Sequence, residues 1–334
     1  MGAVIKGIEY EFPGKRVSNE DLQKEFPDYD FSKFESKVGI LARYVTDENT
    51  SALDLAELAG KKLLNRLKLE VDFILYCTQS PEYYLPSTAC ILQDRLGLPR
   101  NVGAFDFNLG CSGYTYGLAF AKGLINGGIA KNVLLVTAET YTKYINPNDK
   151  SNRAIFGDAA TATLISYEEQ ESFGEFSYGT DGSGYDKLIV KNGCSIPYDE
   201  KAQIKSYGSD NQYSDNNLYM DGPAVFNFTS DVVPEFTEEL LEKNGLEAAG
   251  IGQFIFHQAN AFMLNTMRKL LGAKKEQFYI NLKEGGNTVS CTIPIALKRY
   301  SDSLEEADNQ KIALVGFGVG LSWSGGVINL KYKL

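Results

Sequence analysis

Two rhythms of apolar and polar positions alternate along this chain. Short apolar runs of strand length, such as Asp72-Phe73-Ile74-Leu75-Tyr76-Cys77, are separated by stretches whose apolar residues recur at helical spacing, such as Leu53, Ala56, Leu63, Leu64 and Leu67. The pattern predicts strands at 3–10, 72–77, 103–107, 132–137, 161–166, 253–257, 278–281 and 311–315, with 72–77 and 103–107 buried. It predicts helices opening at Ser18-Asn19-Glu20-Asp21 and at Pro86-Ser87, and others over 51–67, 114–126, 232–243, 261–271 and 288–299. Ser18 is a ready cap and Gly97 a ready stop. Strands interleaved with helices at this spacing define an α/β protein with mostly parallel, covered sheets.

The second half repeats the order of elements in the first. The helix and strand at 232–257 match those at 51–77, and 261–281 matches 87–108. The turn Gly285-Gly286-Asn287 and its helix match the turn and helix after residue 108, and 311–315 matches 132–137. The chain therefore divides into 1–172 and 173–334. The stretch 174–222, rich in Gly, Asp, Asn, Ser and Tyr, interrupts the second half. It is expected to be an insertion of hairpins and loops, serving as a rim, a lid, a subunit contact or plain solvated chain.

Chemistry concentrates at Asn108-Leu109-Gly110-Cys111-Ser112-Gly113, where a strand turns into an apolar helix. A thiol at that corner meets the free N–H groups and dipole of a helix N-terminus, which favour a thiolate. Gly110 and Gly113 leave room for a substrate to approach. A buried structural cysteine fits the same turn. Five cysteines are an odd count without metal-type spacing, and neither metal nor cofactor is expected. There is a single histidine, His257, so any imidazole chemistry falls to it. A net charge of −10 argues against a nucleic-acid partner. With no secretory leader and no apolar run able to span a bilayer, the chain is expected to be cytoplasmic with reduced thiols.

A series of short strings carries a family resemblance through its order and spacing. These are Pro86-Ser87, the Cys111 turn, Phe156-Gly157-Asp158, Asp181-Gly182-Ser183, Asp221-Gly222 with Val225-Phe226, Phe256-His257-Gln258-Ala259-Asn260, Gly285-Gly286-Asn287-Thr288 and Gly316-Phe317-Gly318-Val319-Gly320-Leu321-Ser322-Trp323. Over nearly its whole length the chain resembles the condensing enzymes of the thiolase fold, most closely the 3-oxoacyl-acyl-carrier-protein synthase III family. The resemblance implies a duplicated thiolase-like architecture, layered α-β-α-β-α with two mixed, mostly parallel sheets, and a homodimer. It implies that Cys111 takes an acyl group from acyl-coenzyme A or an acyl-carrier protein. Decarboxylative Claisen condensation with malonyl-acyl-carrier protein then gives 3-oxoacyl-acyl-carrier protein. His257 and Asn287 would complete a Cys-His-Asn triad and donate hydrogen bonds to the malonyl thioester oxygen. The N–H groups of Cys111 and Val319 would form the oxyanion hole. Phe156 and Phe317 would belong to the substrate pocket, with Phe317 shielding the thiol, and Leu85 would close the partner's acyl pocket where relatives often have Phe.

Several positions depart from the family pattern. Lys33 stands where coenzyme A-binding relatives have Trp, while Lys37 and Lys150 replace two Arg residues. Phe34 is the available substitute platform for adenine. The carrier-docking Arg corresponds to Phe262, which leaves Arg268, Lys269, Lys274 and Lys275 as a basic patch for an acidic carrier. Two other functions share the pattern: acyl transfer from Cys111 to a hydroxyl or amine without carbon–carbon bond formation, and a non-catalytic partner subunit.

Overall fold

A computed structural model describes residues 2–32, 34–208, 210–307 and 309–334. In chain order the first elements are β1 (Gly2–Glu11), β2 (Lys15–Ser18), α1 (Asn19–Glu25), α2 (Phe34–Val38), β3 (Ala42–Val45), α3 (Ala52–Leu67) and β4 (Phe73–Cys77). They are followed by α4 (Thr88–Arg95), β5 (Gly103–Phe107), α5 (Gly113–Asn126), β6 (Asn132–Glu139), α6 (Lys150–Ile155) and β7 (Ala159–Glu168). Next come β8 (Phe173–Thr180) and the short strands β9 (Leu188–Ile189), β10 (Lys205–Tyr207), β11 (Asn211–Tyr213) and β12 (Tyr219–Met220). The chain closes with α7 (Gly222–Lys243), β13 (Gln253–Phe256), α8 (Ala261–Leu270), α9 (Thr292–Ser303), β14 (Gln310–Gly318) and β15 (Ser322–Leu330). Capping boxes start α1 and α3: Ser18 with Asp21 and Ser51 with Asp54 each satisfy two backbone N–H groups at the helix start.

Two sheets form the frame. Their strand orders are β1-β7-β6-β4-β5 and β8-β15-β14-β13. From the β1 or β8 edge inward, each sheet runs through two antiparallel pairings and then a parallel one. Helices α5 and α9 pack between the sheets, α3 and α4 cover the outer face of the first, and α7 and α8 cover the second. The result is the five-layered, thiolase-like α/β architecture. Between the sheets, Tyr114, Leu118, Ala121 and Ile125 of α5 lie at spacings of four and three residues and are buried. Burying a side chain such as Leu118 stabilises by about 1.5–3 kcal/mol.

Five sequence expectations need correction. The strand at 103–107 is an edge strand rather than a buried one, and Phe105 is 40% exposed; an apolar composition does not by itself separate edge from centre. Residues 278–281 form no strand beyond one bridge, Phe254 to Phe278, because the Gln258 side chain takes over from the ladder, accepting from Asn281 N–H at 2.6 Å. The helix expected from 232 begins ten residues earlier: Asp221 caps it, Pro223 sits in its first turn, and Pro234 is tolerated within it. The insertion also starts later than 174, since β8 is an edge strand of the second sheet. The predicted helix at 288–299 is in fact a 3₁₀ turn at Val289–Cys291 followed by α9.

Candidate active site

Cys111 lies in the turn between β5 and α5, closed by Gly113 N–H donating to Gly110 C=O at 2.8 Å. Its side chain is buried against Phe156, Val289 and Val319. Burial pushes the thiol up to about 12, against the N–H groups of Val319 and of Cys111 itself, which face the sulfur and hold it down. The expectation of a resting thiolate is thus corrected: desolvation outweighs the helix terminus, and the thiol stays protonated at neutral pH. Gly318 has to lack a side chain, because a Cβ there would stand 2.8 Å from Sγ.

His257 continues the β13–β14 ladder, its N–H donating to Val315 C=O at 2.8 Å, which delivers the imidazole to the sheet end. Burial pulls it down to about 3, so the ring is neutral. Its Nδ1 lies 2.7 Å from Thr292 Oγ1, and the Phe317 ring stands edge-on to it at 5.5 Å. Asn287 arrives from another direction. Gly286 turns the chain with φ +65°, and Asn287 then pairs with the far half: its N–H donates to Ile155 C=O at 2.9 Å, and its C=O accepts from Gly157 N–H at 3.0 Å. Its Oδ1 accepts from Val289 N–H at 2.9 Å, leaving Nδ2 to face His257 Nε2 at 3.5 Å. Val289 adopts φ +56°, a left-handed conformation that costs a β-branched residue about 1–2 kcal/mol.

Cys111, His257 and Asn287 line one cavity of about 340 Å³, together with Phe156 and Phe317. Leu188 and Met220, from the interrupting stretch, supply part of its wall. Phe226 and Phe262 also line it and stack on each other at 5.4 Å, with Phe262 60% exposed. The other expected contacts lie elsewhere. Leu85 is 82% exposed and does not line this chain's cavity. Lys150 is engaged by Asp210, at 3.6 Å from its carboxylate and 3.2 Å from its C=O. Lys37 is exposed on α2, Phe34 is half-buried against the core beneath α7 and α8, and Lys33 lies outside the described residues. Arg268 folds back to donate to Ala273 C=O at 3.1 Å, and with Lys269 it occupies the last turn of α8, whose first turn lines the cavity. Among the described residues no group of three or more His, Cys, Asp or Glu is placed to hold a metal, and no helix is long and apolar enough to cross a membrane.

Sequence reading missed Glu139, the lone carboxyl ending the apolar strand β6. It is fully buried and accepts from Ser290 Oγ at 2.7 Å, Ser80 Oγ at 3.2 Å and Gln79 N–H at 3.1 Å, so it braces the Asn287–Thr292 turn from behind. Burial raises it to about 8. The folded protein therefore holds a proton there that the unfolded chain has released, and this contribution to stability is lost as pH rises from about 4.5 to 8. Glu139→Gln is expected to gain on the wild type by on the order of 3–5 kcal/mol between pH 5 and pH 9 in urea unfolding. An unchanged difference at the two pH values counts against the assignment.

A neutral imidazole, a carboxamide and a thiol sharing a cavity between the halves of a five-layered fold define a thiolase-fold enzyme of the acyl-transferring, condensing class. The chain belongs to the 3-oxoacyl-acyl-carrier-protein synthase III family. The family's N-terminal model matches residues 105–182 and its C-terminal model 241–330. A beta-ketoacyl-[acyl-carrier-protein] synthase III from Clostridium perfringens strain 13 is 38% identical, with 98% of this chain and 99% of that protein covered. A putative 3-oxoacyl-[acyl-carrier-protein] synthase 3 from Campylobacter jejuni is 34% identical, with 98% and 94% covered. The crystal structure of a 3-oxoacyl-(acyl-carrier-protein) synthase III matches with a TM-score of 0.95 at 42% identity, with 98% of this chain and 100% of that chain covered.

Proposed function

We propose that this protein condenses an acyl thioester with malonyl-acyl-carrier protein, releasing carbon dioxide and 3-oxoacyl-acyl-carrier protein. The observation that carries the reading is the opening of Cys111, His257 and Asn287 onto one cavity in a chain of this family. The Cys111 thiol attacks the donor thioester carbonyl, the bond to the carrier sulfur breaks, the thiol proton goes to the departing carrier, which leaves as a free thiol, and the acyl-Cys thioester keeps that carbonyl reactive. His257 and Asn287 then donate to the malonyl thioester oxygen, so that loss of carbon dioxide leaves an enolate held by N–H groups. Its carbon attacks the acyl-Cys carbonyl, whose oxyanion sits against the Cys111 and Val319 N–H groups, and the thiolate departs and is reprotonated. The donor is acyl-coenzyme A or an acyl-carrier protein. The engaged Lys150 and the stacked Phe226–Phe262 pair at the cavity suit the uncharged pantetheine arm common to both carriers better than a charged nucleotide grip.

The two halves, 1–172 and 173–334, are read as a duplication on the strength of their matching strand orders. A homodimer is supported by the open edge of β5 and by the exposure of Phe105, Phe120, Tyr83, Tyr84 and Leu85. In such a dimer Leu85 would close the partner's acyl pocket. The test is carbon dioxide release from malonyl-acyl-carrier protein in the presence of acyl donors, with product mass in parallel. Release with a 3-oxoacyl product is expected. An acyl adduct without release would point to transfer onto a hydroxyl or amine, and neither would leave a non-catalytic subunit.

A further inference from the structure

The Asn287 carboxamide is aimed by a crossing of two loops from opposite halves, the bridge between Phe156 and Asn287. Behind that crossing runs β3, and it is bonded to both loops. Leu41 and Ala42 N–H donate to Lys283 C=O at 2.8 and 3.1 Å, and Tyr44 C=O accepts from Asp158 N–H at 2.8 Å. Arg43 stands between these contacts. Its stem lies against the back of the bridge, since a Cβ at Gly157 or Gly286 would be 3.2 or 3.4 Å from Arg43 Cβ. Beyond the stem, the guanidinium donates to Val17 C=O at 3.1 Å, to Asn19 Oδ1 at 2.6 Å and to Ala154 C=O at 2.6 Å. Ala154 directly precedes Ile155, whose C=O accepts from Asn287 N–H.

Arg43 is 1% exposed, and these three partners are neutral oxygens. Burial lowers its pKa to about 10, which leaves the side chain charged at neutral pH. An apolar side chain of similar volume would fill the space without the cost of desolvating a charge. What the guanidinium adds is a rigid fork that meets acceptors on β2, α1 and α6 at once. We infer that Arg43 is a positioning residue: its stem and fork hold the end of α6 against the Asn287 turn and so fix the direction of the carboxamide. This rests on the condensing role proposed above, in which the Asn287 NH2 group meets the malonyl thioester oxygen. Cys111 is placed by a different turn, between β5 and α5, so the effect falls on the extender step more than on acyl uptake.

Two variants of the full chain test this. Arg43→Met keeps the stem and removes the fork, and Arg43→Lys keeps the charge without the fork. In amide hydrogen exchange without substrate, Arg43→Met is expected to speed exchange across 155–158 and 285–289 about tenfold or more, while β6 and β14 stay within about threefold of the wild type. In decarboxylation of malonyl-acyl-carrier protein, its kcat is expected to fall about tenfold or more with KM changed less than about twofold, and acylation of Cys111 to fall no more than about threefold. Arg43→Lys is expected to lose most of the same kcat, because one ammonium does not span three segments. Wild-type kcat in either variant overturns the inference. Equal losses in acylation and decarboxylation overturn it too, as does exchange that rises alike in every element, since both mark a general loss of structure. If Arg43→Met fails to fold, Arg43→Lys carries the same comparisons. If the wild type releases no carbon dioxide, the proposed function fails while hydrogen exchange continues to test the hold on the crossing.

Discussion

Cys111→Ala protein is expected to gain no acyl mass when mixed with acyl-coenzyme A or acyl-carrier-protein donors, whereas the wild type gains one acyl group. Condensation should fall by at least about 10³-fold, because no other group in the cavity is a nucleophile able to hold an acyl thioester. The other cysteines offer no substitute: Cys77 and Cys291 are buried outside the cavity, and Cys90 and Cys194 sit on the surface. Intact-mass spectra of the two proteins are the measurement. An adduct on the Ala variant, mapped by peptide analysis to another residue, would sink the assignment of the nucleophile.

Asn287→Ala is the second large effect. Loss of one preorganised donor to a developing oxyanion typically costs 10²–10³-fold, or about 3 kcal/mol of barrier. Decarboxylation of malonyl-acyl-carrier protein should fall by about that factor, and more steeply than acyl uptake, since in the proposed mechanism the carboxamide acts on the extender and not on the thiol. The NH2 group has no substitute: Val289 N–H holds the amide in place, and the neighbouring His257 Nε2 is a separate atom 3.5 Å away. Stopped-flow or isotopic release of carbon dioxide gives the rate. A variant that decarboxylates as fast as the wild type rules out the donor role.

The parts of the site that could be read in the sequence were those with a local signature. Cys111 was marked by glycines at a strand-to-helix corner, His257 by being the single imidazole, and Asn287 by standing at the matching turn of the second half. What stayed hidden depends on contacts between distant segments. Glu139 meets Ser290 from 151 residues away, and Thr292 meets His257 from 35, so no window of sequence contains either pair. The left-handed backbone at Val289 could not be read at all, because β-branched residues normally argue against it. The fold errors have similar origins. The true start of α7 escaped notice because its cap, Asp221, lies in the polar stretch expected to be an insertion, and Gln258 replaced backbone pairing at Asn281 with a side chain that carries no strand signal.

Asn287 is fastened by backbone to Ile155 and Gly157, on the opposite half of the molecule. Its carboxamide therefore points correctly only while the two sheets are in register with each other. Residues 1–172 by themselves carry the Cys111 thiol but neither His257 nor Asn287, and they lack the Val289 and Val319 side chains that bury it.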